Sequence, residues 1–273
     1  MGWELKIPKI LHLYWGGGPM YYLRYMTIRT FMKYNPDWEI MLWHPKYPNT
    51  NFTWNSGEQN SGLICEDFLP EAMALSITKT AVDFTDYGFN NRISEVHKSD
   101  FIRLVKLSTI GGVWSDMDII YFKPMNSLYF NRLENQNIET VYCNRVYGHS
   151  VGFLMGTQNN LIFRELMIQT KRNFNPHLYQ IMGSLTYNHV FPTEESITRI
   201  TPAINMSMDV VYSHNAGDIP NIINGTESKF TNESIGLHWY AGDPRWKEFI
   251  NKTNGGLENL PNSIIGNLLK NEK

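Results

Sequence analysis

Cysteine is almost absent: Cys65 and Cys143 are the only two in 273 residues. That excludes a disulfide framework and a cysteine-built zinc site, and it fits a reducing compartment. No run of about 18 apolar residues is present to span a bilayer. The opening Met1-Gly2-Trp3-Glu4-Leu5-Lys6 also lacks the apolar core of a signal peptide. Basic charge is not in excess, since 24 Lys and Arg face 26 Asp and Glu, which argues against nucleic acid as the main partner. A phosphate-loop motif is missing too: Gly16-Gly17-Gly18 belongs to neither Gly-x-Gly-x-x-Gly nor a Gly-Lys-Ser/Thr loop. The expectation is a cytoplasmic protein without a transmembrane segment, peripheral membrane contact being left open.

What the chain has is apolar periodicity, and many aromatic rings that serve either a core or the stacking of sugars and bases. Ile10 to Trp15 reads as a strand closed by glycines, Tyr21 to Tyr34 as a helix stopped by Asn35-Pro36, and Trp38 to Trp43 as a second strand. Strand, helix, strand in this order implies an α/β fold with parallel strands. Residues 45–62, rich in Asn, Pro, Ser and Gly, read as a surface excursion. Helices are expected at 66–79, 91–109, 160–172, 178–190 and 257–270, and strands at 112–121, 139–144, 151–156 and 208–212. Residues 215–233 read as loop, and Asp243-Pro244 as the start of a helix running to Asn251. With no repeat and no linker, one domain over 1–273 is the simplest organisation.

Chemistry concentrates in Gly111-Gly112-Val113-Trp114-Ser115-Asp116-Met117-Asp118 and the helix before it. On a strand, Asp116 and Asp118 would share a face, and two close carboxylates are costly unless a cation relieves them. An isolated Asp-x-Asp ordinarily closes a strand as a solvated turn; here the glycines and the apolar Val113-Trp114 lead-in give it a setting. Asp100 and Arg103, three apart, share a helix face. His238 reads either as a hydrogen-bonded core histidine or as a ligand completing an Asp–metal–His site. Trp15, ending its strand, either closes the core or stacks on a nucleobase where ligands enter α/β sheets.

In this order, the Trp-Gly-Gly strand end, the Ser-Asp-x-x-Arg helix, Gly-Gly-Val-Trp-x-Asp-x-Asp and the late His238-Trp239 resemble the glycosyltransferases with a DXD sugar-binding region. These include fungal mannosyltransferases, bacterial capsule-type transferases and, more distantly, the glucosylating domains of clostridial toxins. The likeness is clearest at 7–43, 96–125 and 235–250. It implies a GT-A-type fold around a mostly parallel central sheet, with a donor-binding half at about 1–125 and an acceptor-side, metal-closing half at about 126–273. By position, Trp15 would stack on the donor's base, and Asp100 and Arg103 would hold the donor sugar's hydroxyls and its phosphate side. Asp116 would touch the ribose or the metal, Asp118 would ligate the metal, His238 would be its C-terminal ligand, and Trp239 would help close over the diphosphate. The resemblance further implies Mn²⁺ or Mg²⁺, a UDP-sugar or GDP-sugar donor, a glycan, lipid-linked or protein acceptor, and retention of anomeric configuration. Catalysis would fall to Asp100, Arg103, Asp116 and Asp118. Two departures stand out: relatives often carry an Asn about where Ser150 to Gly156 sits, and secretory relatives begin with an anchor. The second points to a bacterial or viral setting.

Rival readings are a metal-dependent phosphohydrolase with Asp116 as nucleophile, a carbohydrate-binding module, and an inactive nucleotide-sugar-binding relative. The phosphohydrolase pattern places its Asp-x-Asp near the chain start with Thr or Val two residues on, where this chain has Ile120. A binding module would explain the aromatics but not the paired carboxylates with Asp100 and Arg103.

Overall fold

The structure, a computed structural model, describes residues 6–49, 63–126, 137–145 and 148–272. β1 (Ile10–Tyr14), α1 (Tyr22–Tyr34) and β2 (Glu39–Pro45) form the expected opening unit, with β1 and β2 parallel from Ile10 opposite Glu39 to Tyr14 opposite Trp43. Alternation along β1 sends Leu11 and Leu13 into one apolar layer with Ile28 and Phe31 of α1, while Tyr14 joins the layer on the other face. Each fully buried Leu contributes about 1.5–3 kcal/mol. α1 ends where Pro36 bars Asn35 from helical geometry, and the Asn35 backbone N–H and side-chain amide both donate to the Phe31 carbonyl.

α2 (Leu69–Ala74) and β3 (Thr78–Val82) occupy the stretch read as one helix over 66–79. Thr78, Thr80 and Val82 are β-branched at alternate positions, and pairing with β2 draws them into an edge strand. α3 (Glu95–Thr109) starts at Ser94, whose hydroxyl accepts from the His97 N–H, and stops before Gly111 and Gly112, at φ +76° and +104°. A Cβ on Gly112 would sit 2.5 Å from the Ile10 carbonyl oxygen, so glycine is what lets β4 (Gly112–Ser115) enter beside β1.

β5 (Ile119–Tyr121), β6 (Thr140–Arg145), β7 (Gly148–Gly156), α4 (Leu161–Asn173), α5 (Ser184–Val190), α6 (Glu194–Thr198), β8 (Ala203–Asn205), α7 (Ile219–Asn224), β9 (Gly236–His238), α8 (Trp246–Lys252) and α9 (Ile264–Lys270) follow. Among the described residues the main sheet has the order β3-β2-β1-β4-β7-β6-β8, and β5 pairs with β9 in a second, two-stranded sheet. Around β1 the ladders are parallel, and β7 runs antiparallel to both β4 and β6. This is the α/β architecture with a mostly parallel central sheet that the sequence implied. Among the described residues, no helix is long and apolar enough to cross a membrane.

Several local expectations are corrected. The strand read over 112–121 is two strands in different sheets, broken at Asp116–Asp118. Residues 208–212 turn rather than extend, yet the Val210 and Val211 carbonyls accept from the Ile235 and His238 N–H groups, so tertiary pairing is kept without a strand. Leu178–Gly183 is a turn with Gln180 at φ +58°, so the helix read over 178–190 starts only at Ser184. α7 lies within the stretch read as loop, with Pro220 in its first turn. Asp243 accepts from the Arg245 N–H one turn ahead of α8 instead of capping it. The final helix begins at Ser263, whose hydroxyl accepts from the Gly266 N–H. Of the excursion at 45–62, residues 50–62 lie outside the described residues.

Candidate metal and donor site

The Asp-x-Asp segment sits where the chain changes sheets. Ser115 still pairs with Phe153 of β7, and the Asp116 N–H donates to the Gly152 carbonyl at 2.7 Å. Two residues on, the Trp239 N–H donates to the Asp118 carbonyl at 3.0 Å, and Ile119 pairs with His238 of β9. The two aspartates therefore converge because the backbone is handed from one sheet to the other, not because they share a face of one strand. The same crossover brings His238 alongside: one ligand atom each from Asp116, Asp118 and His238 lies within 4.8 Å of the others.

Asp116 is the more open carboxylate, with 32% of its side chain exposed against 10% for Asp118. Its Oδ1 accepts from the Arg103 guanidinium and from the Trp114 indole N–H, each at 2.9 Å. Arg103 also pairs with Asp100 at 3.0 Å and lies 4.9 Å from the centre of the Trp114 ring. With both carboxylates on one buried guanidinium, Arg103 fixes the orientation of Asp116 through charge-assisted hydrogen bonds. Asp100, only 5% exposed, is pressed against the backbone of Gly183, where a Cβ would come within 2.6 Å of its Oδ2.

Asp118 is held differently. Its Oδ2 accepts from the Ala241 N–H at 2.9 Å, while its buried Oδ1 has no hydrogen-bond donor. Across from that oxygen, at 3.2 Å, stands Nε2 of His238. Burial pushes the His238 pKa below its ordinary value, against the pull of the Asp118 and Asp116 carboxylates, so the imidazole is neutral at pH 7. A bare carboxylate oxygen facing a neutral imidazole, both out of water, is an unfavourable pairing that a hard cation relieves. Gly152 supplies the space: a Cβ there would lie 3.0 Å from Asp116 Oδ2, 3.0 Å from the Tyr212 hydroxyl and 3.2 Å from His238 Nε2. The donor set of two carboxylates and one imidazole fits Mn²⁺ or Mg²⁺.

Trp15 follows β1, partly buried, with its indole N–H donating to the Gly18 carbonyl at 2.6 Å. The Arg24 guanidinium lies 5.8 Å from the centre of its ring and 5.2 Å from that of Trp239. Trp239 itself is fully buried, edge-on to Tyr21 and Trp246. Its ring forms wall, and its backbone N–H on the Asp118 carbonyl is its link to the site. The site thus brings together Asp100, Arg103, Asp116, Asp118 and His238, with Trp15 joined to its edge through Arg24.

Sequence reasoning missed Arg24, Arg145, Gly152, Tyr212 and Tyr240. The Tyr212 and Tyr240 rings flank His238 at 5.0 and 4.4 Å between centroids, and Tyr240 stands at φ +57° directly after Trp239. The one signal in the sequence was the aromatic run His238-Trp239-Tyr240; Arg145 and Tyr212 are reached only through the fold.

Asp116, Asp118 and His238 meet where the chain passes from one sheet to the other, with donor atoms close enough together to hold a cation. Residues 24–135 match the family model described as glycosyltransferase sugar-binding region containing DXD motif. No curated protein matches the chain. Among solved structures it is similar to the PaToxG glycosyltransferase, at 14% identity over 71% of this chain and 73% of that one, with a TM-score of 0.47. It is similar to the glycosyltransferase GlyE of Streptococcus pneumoniae TIGR4, at 11% identity over 97% of this chain and 63% of that one, TM-score 0.48. It is also similar to the galactosyltransferase LgtC in complex with donor and acceptor sugar analogues, at 11% identity over 92% and 96%, TM-score 0.42.

Proposed function

We propose that the protein is a metal-dependent glycosyltransferase that moves a sugar from a nucleotide diphosphate sugar, UDP-linked by preference, to a hydroxyl acceptor with retention of configuration. The observation that carries this is the buried, donorless Asp118 Oδ1 facing neutral His238 beside Asp116, within a matched DXD segment. Asp116, Asp118 and His238 would hold Mn²⁺ or Mg²⁺, which supplies charge stabilisation to a departing diphosphate. Arg103 keeps Asp116 aimed, and Asp100, buried beside Gly183, is the group proposed to meet the donor sugar. Trp15 is the proposed base platform. In a front-face transfer the bond from the anomeric carbon to phosphate oxygen breaks as the bond to the acceptor oxygen forms, and the departing phosphate takes the acceptor's proton. Against a phosphohydrolase stands Asp116 Oδ1, whose lone pairs are engaged by Arg103 and Trp114, a poor setting for a nucleophile.

Thermal-shift titration with UDP-sugars and GDP-sugars, with and without Mn²⁺, tests the assignment. A donor that stabilises the protein only when metal is present is expected; no response to any of them would overturn it. Proton NMR of the first-formed product checks the stereochemistry, and an inverted linkage would remove the front-face route while leaving transfer intact.

A further inference from the structure

Arg145, the last residue of β6, carries a charge left without a counter-charge among the described residues. Its guanidinium lies 4.0 Å from the centre of the Tyr212 ring and 5.8 Å from that of Tyr240, and one terminal nitrogen donates to the Tyr240 hydroxyl at 3.2 Å. These are the two rings that flank His238, so Arg145 stands one aromatic layer from the triad. No carboxylate forms an ion pair with it among the described residues. Its buried Nε has no hydrogen-bond acceptor. The groups packed around it are the Tyr212 and Tyr240 rings and Cys143, none of them a carboxylate.

A guanidinium cannot escape this by losing its proton, and a partly buried charge without a counter-charge is poorly compensated. Arg103 has two carboxylates; among the described residues Arg145 pairs with none.

We infer that Arg145 is a phosphate-recognising residue of the donor site, pairing with the diphosphate through the guanidinium edge that Tyr212 and Tyr240 hold in place. The inference rests on the transferase reading above. Its test is calorimetric titration of UDP, GDP and their monophosphates, with Mn²⁺ present, into wild type, Arg145→Gln and Arg145→Lys. Wild type should prefer a diphosphate to its monophosphate. Arg145→Gln should weaken the diphosphate by at least about tenfold, as expected for loss of a charge-assisted pair, and the monophosphate by much less, with Arg145→Lys restoring part of the loss. A purely packing role would lower melting temperature and weaken both nucleotides alike, and would overturn the inference. So would equal diphosphate affinity in wild type and Arg145→Gln, a result that leaves the transferase reading standing. If wild type binds neither diphosphate, the transferase reading falls and takes this role for Arg145 with it.

Discussion

His12 and His238 are two buried histidines on strands of one protein, and they are buried to different ends. The His12 ring is shared between two partners, with Nε2 donating to the Gly111 carbonyl at 2.8 Å and Nδ1 accepting from the Trp43 indole at 3.2 Å. Every polar atom of that ring is used, and the ring ties β1 to β2 and to the turn that leads into β4. His238 has a buried Nδ1 with no partner and an Nε2 set against a carboxylate oxygen that also lacks a donor. Burial lowers the pKa of both, so depth and titration alone do not separate them. What separates them is satisfaction: each ring nitrogen of His12 is paired, whereas His238 Nδ1 and the Asp118 Oδ1 opposite its Nε2 are not.

The comparison breaks most sharply at the metal. Asp118→Asn and His238→Ala should each weaken Mn²⁺ binding by about 100-fold or more, measured by calorimetry, while leaving the metal-free protein as stable as wild type or more so. His12→Ala should do the reverse. It strands the Gly111 carbonyl and the Trp43 indole in the core, at about 2–4 kcal/mol by urea denaturation, with Mn²⁺ affinity unchanged in the folded protein. Equal stability losses in the His12 and His238 variants, with Mn²⁺ binding kept in both, would remove the distinction.

That distinction was only half legible in the sequence. The opening β1-α1-β2 unit and the Ser94 cap of α3 follow from periodicity, Pro36 and local capping chemistry, which act over a few residues. Asp116 and Asp118 were singled out as a pair, but for a geometry they do not have, because the change of sheet between them depends on β7 and β9, far away in the chain. β3 was lost to a helical reading for the same reason, its ladder with β2 being tertiary. His12 passed without notice, since nothing local announces that Trp43 and Gly111 meet its ring. Arg145 was invisible because a lone arginine at a strand end is ordinary until it proves to form no ion pair among the described residues.

Acid sharpens the comparison from the His12 side. Its pKa in the fold is about 4, lowered mainly by burial, against 6.5 in an unfolded chain. Below pH 6.5 the unfolded state takes up a proton that the native ring refuses, so stability is full above that pH and falls as the pH drops toward about 4. Between pH 7 and pH 5 the loss from this one ring is about 2 kcal/mol. His97, His149 and His214 are lowered too and add in the same direction. The depressed carboxylates, such as Asp37 and Asp243, titrate below this window. Urea denaturation at the two pH values should therefore show a clear drop in wild type, and His12→Gln, which keeps an amide donor and acceptor without a titrating ring, should remove about 2 kcal/mol of it. A slope unchanged in that variant would assign the effect to the other histidines.

The smallest change tests the space around His238. Gly152 faces Asp116 Oδ2, the Tyr212 hydroxyl and His238 Nε2 at once, all within 3.2 Å of where a Cβ would stand. Its backbone is not in the left-handed region, so alanine there meets no strain of its own, and the cost falls on whichever neighbour yields. Asp116 Oδ1 is pinned by Arg103 and Trp114, and His238 sits in its ladder opposite Ile119. The carboxylate can then give way only by rotating Oδ2 out of the triad. Gly152→Ala should therefore weaken Mn²⁺ binding by about tenfold with a stability change of about 1 kcal/mol or less. At the satisfied site, alanine at Gly112 meets the Ile10 carbonyl oxygen at 2.5 Å and a φ of +104°, so it should cost stability and leave metal affinity alone. If Gly152→Ala instead unfolds the protein without touching metal affinity, the space beside His238 is packing space like that around His12, and the two histidines are alike after all.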